Sequence, residues 1–273
     1  MYPVLFKIGA FEVTSFGVMV AAGALVGLWL FGRELRMSRL PEDAVNGAAI
    51  GVVAGLIGAK LLFVFEHLGE EPFQSLLLSR GGLSWFGGLF GGIGAALVYF
   101  RWRRWQILPI VAAATPALAV GHLLGRIGCF LVGDDYGRPT SLPWGIAFPK
   151  GLPPTDVSVH PTQLYEAAFL GVLAWLLIRS RREGRSPAIV LGRYLVLAGG
   201  VRFLIEFVRV NVRVALGLTV AQYAALVIVA IGAALLAGEG TPSLSVRGSR
   251  VPRTGRARIA DRRSRGRRGA GLT

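Results

Sequence analysis

Residues 13–32 read VTSFGVMVAAGALVGLWLFG, a run of twenty positions without an ionisable side chain. The hydrocarbon core of a bilayer is about 30 Å thick, and a helix needs roughly 20 apolar residues to cross it. The stretch therefore predicts a transmembrane helix. It is too long for the short apolar core of a cleavable signal peptide, and no basic segment precedes it.

Six further stretches have the length and apolar character of membrane spans. The whole chain of 273 residues is 53% hydrophobic and only 16% charged, whereas soluble domains carry about 25% charged residues. The predicted fold is therefore all-α, a polytopic membrane protein with about seven transmembrane helices in residues 1–240. The six stretches are residues 44–65, 81–100, 105–125, 161–178, 187–207 and 214–238.

Lysine and arginine concentrate in alternate connections between the predicted spans. Such basic loops usually remain in the cytoplasm, so the N-terminus is predicted to lie outside and the C-terminus in the cytoplasm. The connection 126–160 then faces outward, and its length is typical of a functional loop. The basic connections contain Arg33, Arg36 and Arg39, then Arg101, Arg103 and Arg104, then Arg179, Arg181, Arg182 and Arg185.

The C-terminal tail, residues 241–273, carries much of the net charge of +15, because ten arginines lie between Arg247 and Arg268. Its arginine-, glycine- and serine-rich composition predicts disorder. We interpret the tail as a cytoplasmic anchor on anionic lipid headgroups. A nucleic-acid partner is not expected, since the rest of the chain is apolar.

Ionisable side chains inside a span cost about 2.5–3.5 kcal/mol each on the insertion scale, so they are candidates for function. Arg202 and Glu206 are four residues apart, and so are His122 and Arg126; each pair therefore shares a helix face. The Arg202 pair could simply neutralise itself. Alternatively, the two arginines face one outward cavity and hold a phospholipid phosphate. Other charges in the predicted spans are Lys60, Glu166 and Arg193.

Four segments resemble, in order, those of the prolipoprotein diacylglyceryl transferases. Residues 125–138, GRIGCFLVGDDYGR, and 160–166, HPTQLYE, carry the more specific likeness; residues 82–89 and 201–207 add weaker ones. The resemblance implies a multi-pass enzyme of the bacterial inner membrane without metal or cofactor. Such enzymes transfer the diacylglyceryl group of phosphatidylglycerol to the lipobox cysteine thiol of prolipoproteins, the first step of lipoprotein maturation.

The resemblance also implies the site. Arg126 corresponds to the family's phospholipid-binding arginine and Arg202 to a second essential arginine, with Glu206 beside it. The thiol must lose its proton, and the candidate acceptors are His122, one turn from Arg126, and His160, followed by Asp134. Residues expected to bind substrate, besides the two arginines, are Gly87, Gly88, Gly128, Asp134, Tyr136 and Gly137.

Some positions depart from the family pattern, so the resemblance is to a divergent member. Phe86 replaces a usual histidine, Cys129 and Val132 replace asparagines, Asp134 replaces a glutamate, and Ala198 replaces a tyrosine. A non-catalytic, phospholipid-binding paralogue is therefore an alternative. A transporter is less favoured, because the charges cluster toward one side and no inverted repeat is visible.

Overall fold

Eight α-helices account for most of residues 1–9, 11–79 and 82–240, the part of the chain that the computed structural model describes. Four short strands form two antiparallel hairpins, β1 (Val4–Ile8) with β2 (Phe11–Thr14) and β3 (Ile146–Phe148) with β4 (Thr155–Val159). The helices are α1 (Ser15–Met37), α2 (Ala44–Glu66), α3 (Phe73–Leu78), α4 (Trp85–Trp102), α5 (Ile107–Val132), α6 (Thr162–Arg182), α7 (Pro187–Ile205) and α8 (Val220–Gly240).

The predicted all-α class is correct for the bulk of the chain, although the hairpins were not predicted. Five helices among the described residues are long and apolar enough to cross a membrane: α1, α2, α5, α7 with its short extension to Val208, and α8. The fold is therefore that of a multi-pass membrane protein. Helices α4 and α6 occupy the other two predicted spans, and a count of seven spans stays a prediction. The predicted disordered tail lies outside the described residues.

Several helix boundaries differ from the predicted ones. Helix α5 continues beyond the predicted end at 125 to Val132 and stops at Gly133, whose φ of 79° is the left-handed conformation that glycine adopts readily. Helix α8 begins at 220 rather than 214, after a 3-10 turn at Ala215–Gly217. Helix α4 begins at 85, so Gly87 and Gly88 lie within a regular helix and not at a break.

Helix α5 lies at the centre of the fold and packs against α1, α6 and α7. Helix α2 packs along α4, and α8 packs along α7. One apolar cluster joins α1, α2, α4 and α5, and a second joins α5, α6 and α7. Their largest buried side chains are Leu30, Phe31, Leu35, Phe100 and Ile110 in the first, and Leu170, Leu173, Leu177 and Val190 in the second.

Glycines allow the backbones of α2 and α4 to touch. A Cβ atom on Gly58 would lie 2.5 Å from the carbonyl oxygen of Gly87, and one on Gly51 would lie 2.9 Å from that of Gly92. Small residues support such close approach in membranes, where helices have no hydrophobic advantage over lipid. Gly87 therefore serves the packing of α4 against α2.

Two charged side chains within helices, Arg181 and Lys60, form ion pairs or hydrogen bonds with other parts of the fold. The guanidinium of Arg181 on α6 pairs with buried Glu34 on α1 at 2.7 Å and donates to Ser38. Lys60 on α2 donates through Nζ to the carbonyl oxygen of Ser79 at 2.7 Å and to its hydroxyl at 2.8 Å. Lys60 is thus an anchor for the segment after α3.

We expect Gly58→Leu to destabilise the protein by about 1–3 kcal/mol, the usual cost of overpacking, because the new side chain would collide with the α4 backbone. Gly94→Leu is the matched control, since no atom lies within 4 Å of a Cβ placed there. Thermal unfolding in detergent measures both variants. Equal midpoints for the two variants would contradict the close packing of α2 and α4.

Candidate active site

Five of the ionisable side chains considered in the sequence meet where α5, α6 and α7 come together. His122 and Arg126 lie one turn apart on α5, Glu166 is in the second turn of α6, and Arg202 is in the last turn of α7. Glu206 follows α7 directly, in a 3-10 turn over Glu206–Val208. The predicted convergence of Arg126 and Arg202 on one point is thus found in the geometry.

Glu166 is the group that joins the two arginines. Its carboxylate is bonded by Nε of Arg126 and lies 3.4 Å from the Nη1 atom of Arg202. Only 2% of Glu166 is exposed, and a buried charge needs such partners to offset its desolvation. Nε2 of His122 is 4.0 Å from Oε2 of the same carboxylate. Glu166 therefore fixes the spacing of both guanidinium groups.

Further ion pairs close these charges into a ring. Arg202 pairs with Glu206 at 2.9 Å, and Arg209 lies 3.7 Å from the same carboxylate. Arg209 also pairs with Asp135 at 2.7 Å, and Asp135 returns to Arg126 at 2.9 Å. We call these six residues the charge ring: Arg126, Glu166, Arg202, Glu206, Arg209 and Asp135. Its three cations and three carboxylates alternate, so the ring is neutral overall.

The loop after α5 places Asp135 against the ring through bonds from the first turn of α6. The hydroxyl of Thr162 donates to the carbonyl oxygen of Asp135 at 2.7 Å, and the amide of Gln163 donates to that of Asp134 at 2.5 Å. Both donors are fully buried. The segment 160–166 thus supplies Glu166 and also holds the neighbouring loop in position.

The two aspartates of this loop differ in charge environment. Burial raises the pKa of Asp134, which lies beside Cys129. Burial acts in the same direction on Asp135, but Arg209 and Arg126 outweigh it and hold the pKa of that carboxyl below its usual value. Asp135 therefore ionises more readily than Asp134, which suits its place in the charge ring.

Gly137 lets its own loop cross closely over the loop segment at Val208, next to the charge ring. A Cβ there would lie 2.6 Å from the carbonyl oxygen of Val208. The amide of Gly137 donates to the carbonyl oxygen of His160, and that of Arg138 donates to the carbonyl oxygen of Val208 at 2.8 Å. Because Arg209 directly follows Val208 in the chain, this backbone crossing sets the position of the Arg209 guanidinium.

The other predicted site residues lie outside the charge ring. The imidazole of His160 makes a hydrogen bond with the hydroxyl of Tyr165 at 3.3 Å, and Tyr136 donates its hydroxyl to the carbonyl oxygen of Pro153. A Cβ on Gly128 would meet the α1 side chains of Phe16 and Met19. A Cβ on Gly88 would meet Ala59 on α2. These positions support the packing and loops around the ring.

Sequence reasoning noted Glu166 but did not include it in the site, and it missed Asp135 and Arg209. An isolated acid in a predicted span was a usable signal for Glu166, because an unpaired carboxylate is costly there. The i, i+3 spacing from Glu206 was a signal for Arg209. No local pattern reveals that Asp135 meets Arg209, since the two lie in different loops.

At the positions where the chain departs from the family pattern, the side chains pack within their helices or against neighbouring ones. Cys129 and Val132 are buried in the last turns of α5, and Ala198 packs on the apolar cluster between α5, α6 and α7. The ring of Phe86 stacks with that of Phe90, with centroids 6.3 Å apart.

Among the described residues, one group could offer three atoms to a metal ion: Cys129, Asp134 and Asp135, whose ligand atoms lie within 4.8 Å of one another. Asp135 already uses one carboxylate oxygen for Arg126 and the other for Arg209. Two guanidinium groups also repel a cation at this position. The group is therefore a poor match for a metal centre.

Comparison with known proteins relates this geometry to a family. The family model for prolipoprotein diacylglyceryl transferase matches residues 3–237. Three relatives are named phosphatidylglycerol–prolipoprotein diacylglyceryl transferase. The protein of Clostridium tetani is 31% identical over 77% of this chain and 86% of its own length. The corresponding values are 33%, 76% and 79% for Pseudoalteromonas translucida, and 35%, 86% and 94% for Methylococcus capsulatus.

The match extends over nearly all of the described helices and includes every member of the charge ring. It far exceeds half of the chain, and the relatives are covered over most of their own length. The chain therefore belongs to the prolipoprotein diacylglyceryl transferase family.

Proposed function

We propose that this protein transfers the diacylglyceryl group of phosphatidylglycerol to the lipobox cysteine thiol of a prolipoprotein and releases glycerol phosphate. The names of the relatives give the two substrates and favour transfer over a non-catalytic lipid-binding role or transport. The proposal rests on one observation: Arg126 and Arg202 both pair with the carboxylate of Glu166 inside an apolar helix bundle. Two guanidinium groups at one point suit a phosphate.

The proposed setting is the bacterial inner membrane, which residues 1–240 cross seven times with the N-terminus outside. The alternating basic connections support this orientation. The charge ring then lies toward the outer face, opposite the basic end of α6. The tail 241–273 is proposed to follow in the cytoplasm, on anionic headgroups.

The reaction exchanges one bond at the glycerol carbon that carries the phosphate. The thiolate sulfur attacks this carbon, the C–S bond forms as the C–O bond breaks, and the electron pair leaves on the oxygen of glycerol phosphate. Arg126 and Arg202 stabilise the negative charge that grows there. Each guanidinium has five N–H donors, so both arginines can donate to the phosphate while Glu166 and Glu206 continue to orient them.

His122 is the proposed acceptor of the thiol proton. It lies one turn from Arg126 and 4.0 Å from Glu166, beside the arginine that is proposed to hold the phosphate. His160 is the weaker candidate, because its ring is bonded to Tyr165. Asp134, Tyr136 and Gly137 act by shaping the loop that holds Asp135, while Gly128 acts by letting α5 pack closely against α1.

The direct test is transfer by the purified protein. We expect a thioether-linked product when the protein in detergent receives phosphatidylglycerol and a lipobox peptide, and none when the peptide cysteine is replaced by serine. A second test is survival of a host whose own transferase is depleted. Absence of product beside an active relative would overturn the proposal and favour lipid binding without chemistry.

We expect Arg126→Lys to lower the rate of transfer by about 10²–10³-fold, the usual loss when a donor to a developing oxyanion is removed. Lysine keeps the charge but lacks the planar fork that reaches Glu166 and a phosphate together. The rate of thioether formation measures the effect. Arg179→Lys is the matched control, because Arg179 is exposed and contacts Glu183 and Trp175 near the end of its own helix, away from the charge ring. Similar rates for both variants would exclude the clamp.

We expect His122→Gln to lower the transfer rate by about 10²–10⁴-fold, the range for a lost proton acceptor, and to leave a residual rate that rises with pH as the peptide thiol ionises at about pH 8.5. His160→Gln should change the rate much less. The measurement is the initial rate across pH at saturating lipid. If His160→Gln causes the larger loss, the proton acceptor is His160 and the assignment of His122 is wrong.

A further inference from the structure

A groove between α6, α7 and α8 lies away from the charge ring, at the end of α6 that carries Arg179 and Arg182. Its volume is about 410 Å³. Most of its wall is apolar and includes Leu173, Leu177 and Leu236, while Ser180 and Arg193 supply the polar groups. The groove therefore has a mainly apolar wall and one cation, Arg193.

Arg193 differs from the other arginines inside the helix bundle. Arg126, Arg181 and Arg202 each pair with a carboxylate. Among the described residues, no carboxylate lies within ion-pair distance of Arg193. Its guanidinium donates from Nη1 to the hydroxyl of Ser180 at 2.7 Å, which is a neutral acceptor. A guanidinium has five N–H donors, so the charge and most donors are available to an anion in the groove.

We propose that this groove binds an anionic phospholipid whose phosphate pairs with Arg193 and whose acyl chain lies along the apolar wall. The groove runs along helices of a membrane-spanning bundle, so a lipid is the ligand that reaches it with an apolar chain and a phosphate together. Basic pockets between transmembrane helices bind such headgroups. The neighbouring Arg179 and Arg182 in the last turn of α6 add to the local positive potential.

This lipid site is separate from the site of transfer. Along α6, Ser180 is about 21 Å from Glu166 at a rise of ~1.5 Å per residue. Along α7, Arg193 is about 13 Å from Arg202 by the same measure. The bound lipid thus has a structural role: α7 packs against both α6 and α8, and the lipid fills the groove that all three helices line.

Native mass spectrometry of the detergent-solubilised protein, titrated with phosphatidylglycerol, tests the proposal. We expect Arg193→Gln to retain one lipid fewer than the unchanged protein, with affinity for that lipid reduced roughly fivefold or more. Its rate of thioether formation should stay the same. Arg101→Gln is the matched control and should retain every lipid, because Arg101 lies on α4, which does not line the groove. Equal lipid retention by Arg193→Gln and the unchanged protein would overturn the proposal.

Two further arms separate the ligand chemistries. Inorganic phosphate alone and diacylglycerol alone should each fail to occupy the site, because the groove recognises phosphate and chain together; full occupancy by either one would overturn the proposal. Val196→Phe keeps Arg193 but narrows the groove, and it should also lose one lipid. It replaces Arg193→Gln if that variant does not fold. Loss of lipid binding here and absence of thioether product are separate readouts, so either proposal can fail alone.

Discussion

The carboxylate of Glu166, held between two guanidinium groups in an apolar bundle, is the interaction on which the site depends. Charges inside a membrane protein persist only when opposite charges or dipoles compensate them. Here the compensation comes from α5 and α7, while Glu166 itself belongs to α6. The requirement for neutrality therefore brings three helices together at one place and fixes the distance between Arg126 and Arg202.

The charge ring extends this constraint to the loops. Asp135 and Arg209 are far apart in the chain, yet they pair with each other. Asp135 also pairs with Arg126, and Arg209 lies beside Glu206. Removing any one member leaves a neighbour with uncompensated charge, which is costlier than the intact pair is stabilising. In the proposed reaction, the phosphate accepts hydrogen bonds from N–H groups that the arginines do not use for Glu166. The ring is thus organised before substrate binds, so little rearrangement is needed as charge develops.

The rest of the bundle provides a rigid frame by a different physical means. Glycines allow α2 and α4 to pack backbone to backbone, and Glu34 ties α1 to Arg181 on α6. Arg193 lacks such a carboxylate among the described residues, and our second proposal gives it a lipid phosphate instead. The same rule of charge compensation therefore accounts for both ends of the helix bundle.

The sequence by itself determined the apolar helices and the local charge pairs, because hydropathy and the i, i+4 spacing depend only on neighbouring residues. It also indicated that Arg126 and Arg202 belong to one site. Only the tertiary structure decided that Glu166 joins them and that Asp135 and Arg209 close the ring, since contacts between helices depend on which faces pack. The end of α5 was misplaced because hydropathy stops at the charged Arg126, whereas the backbone remains helical to Val132 and ends at Gly133.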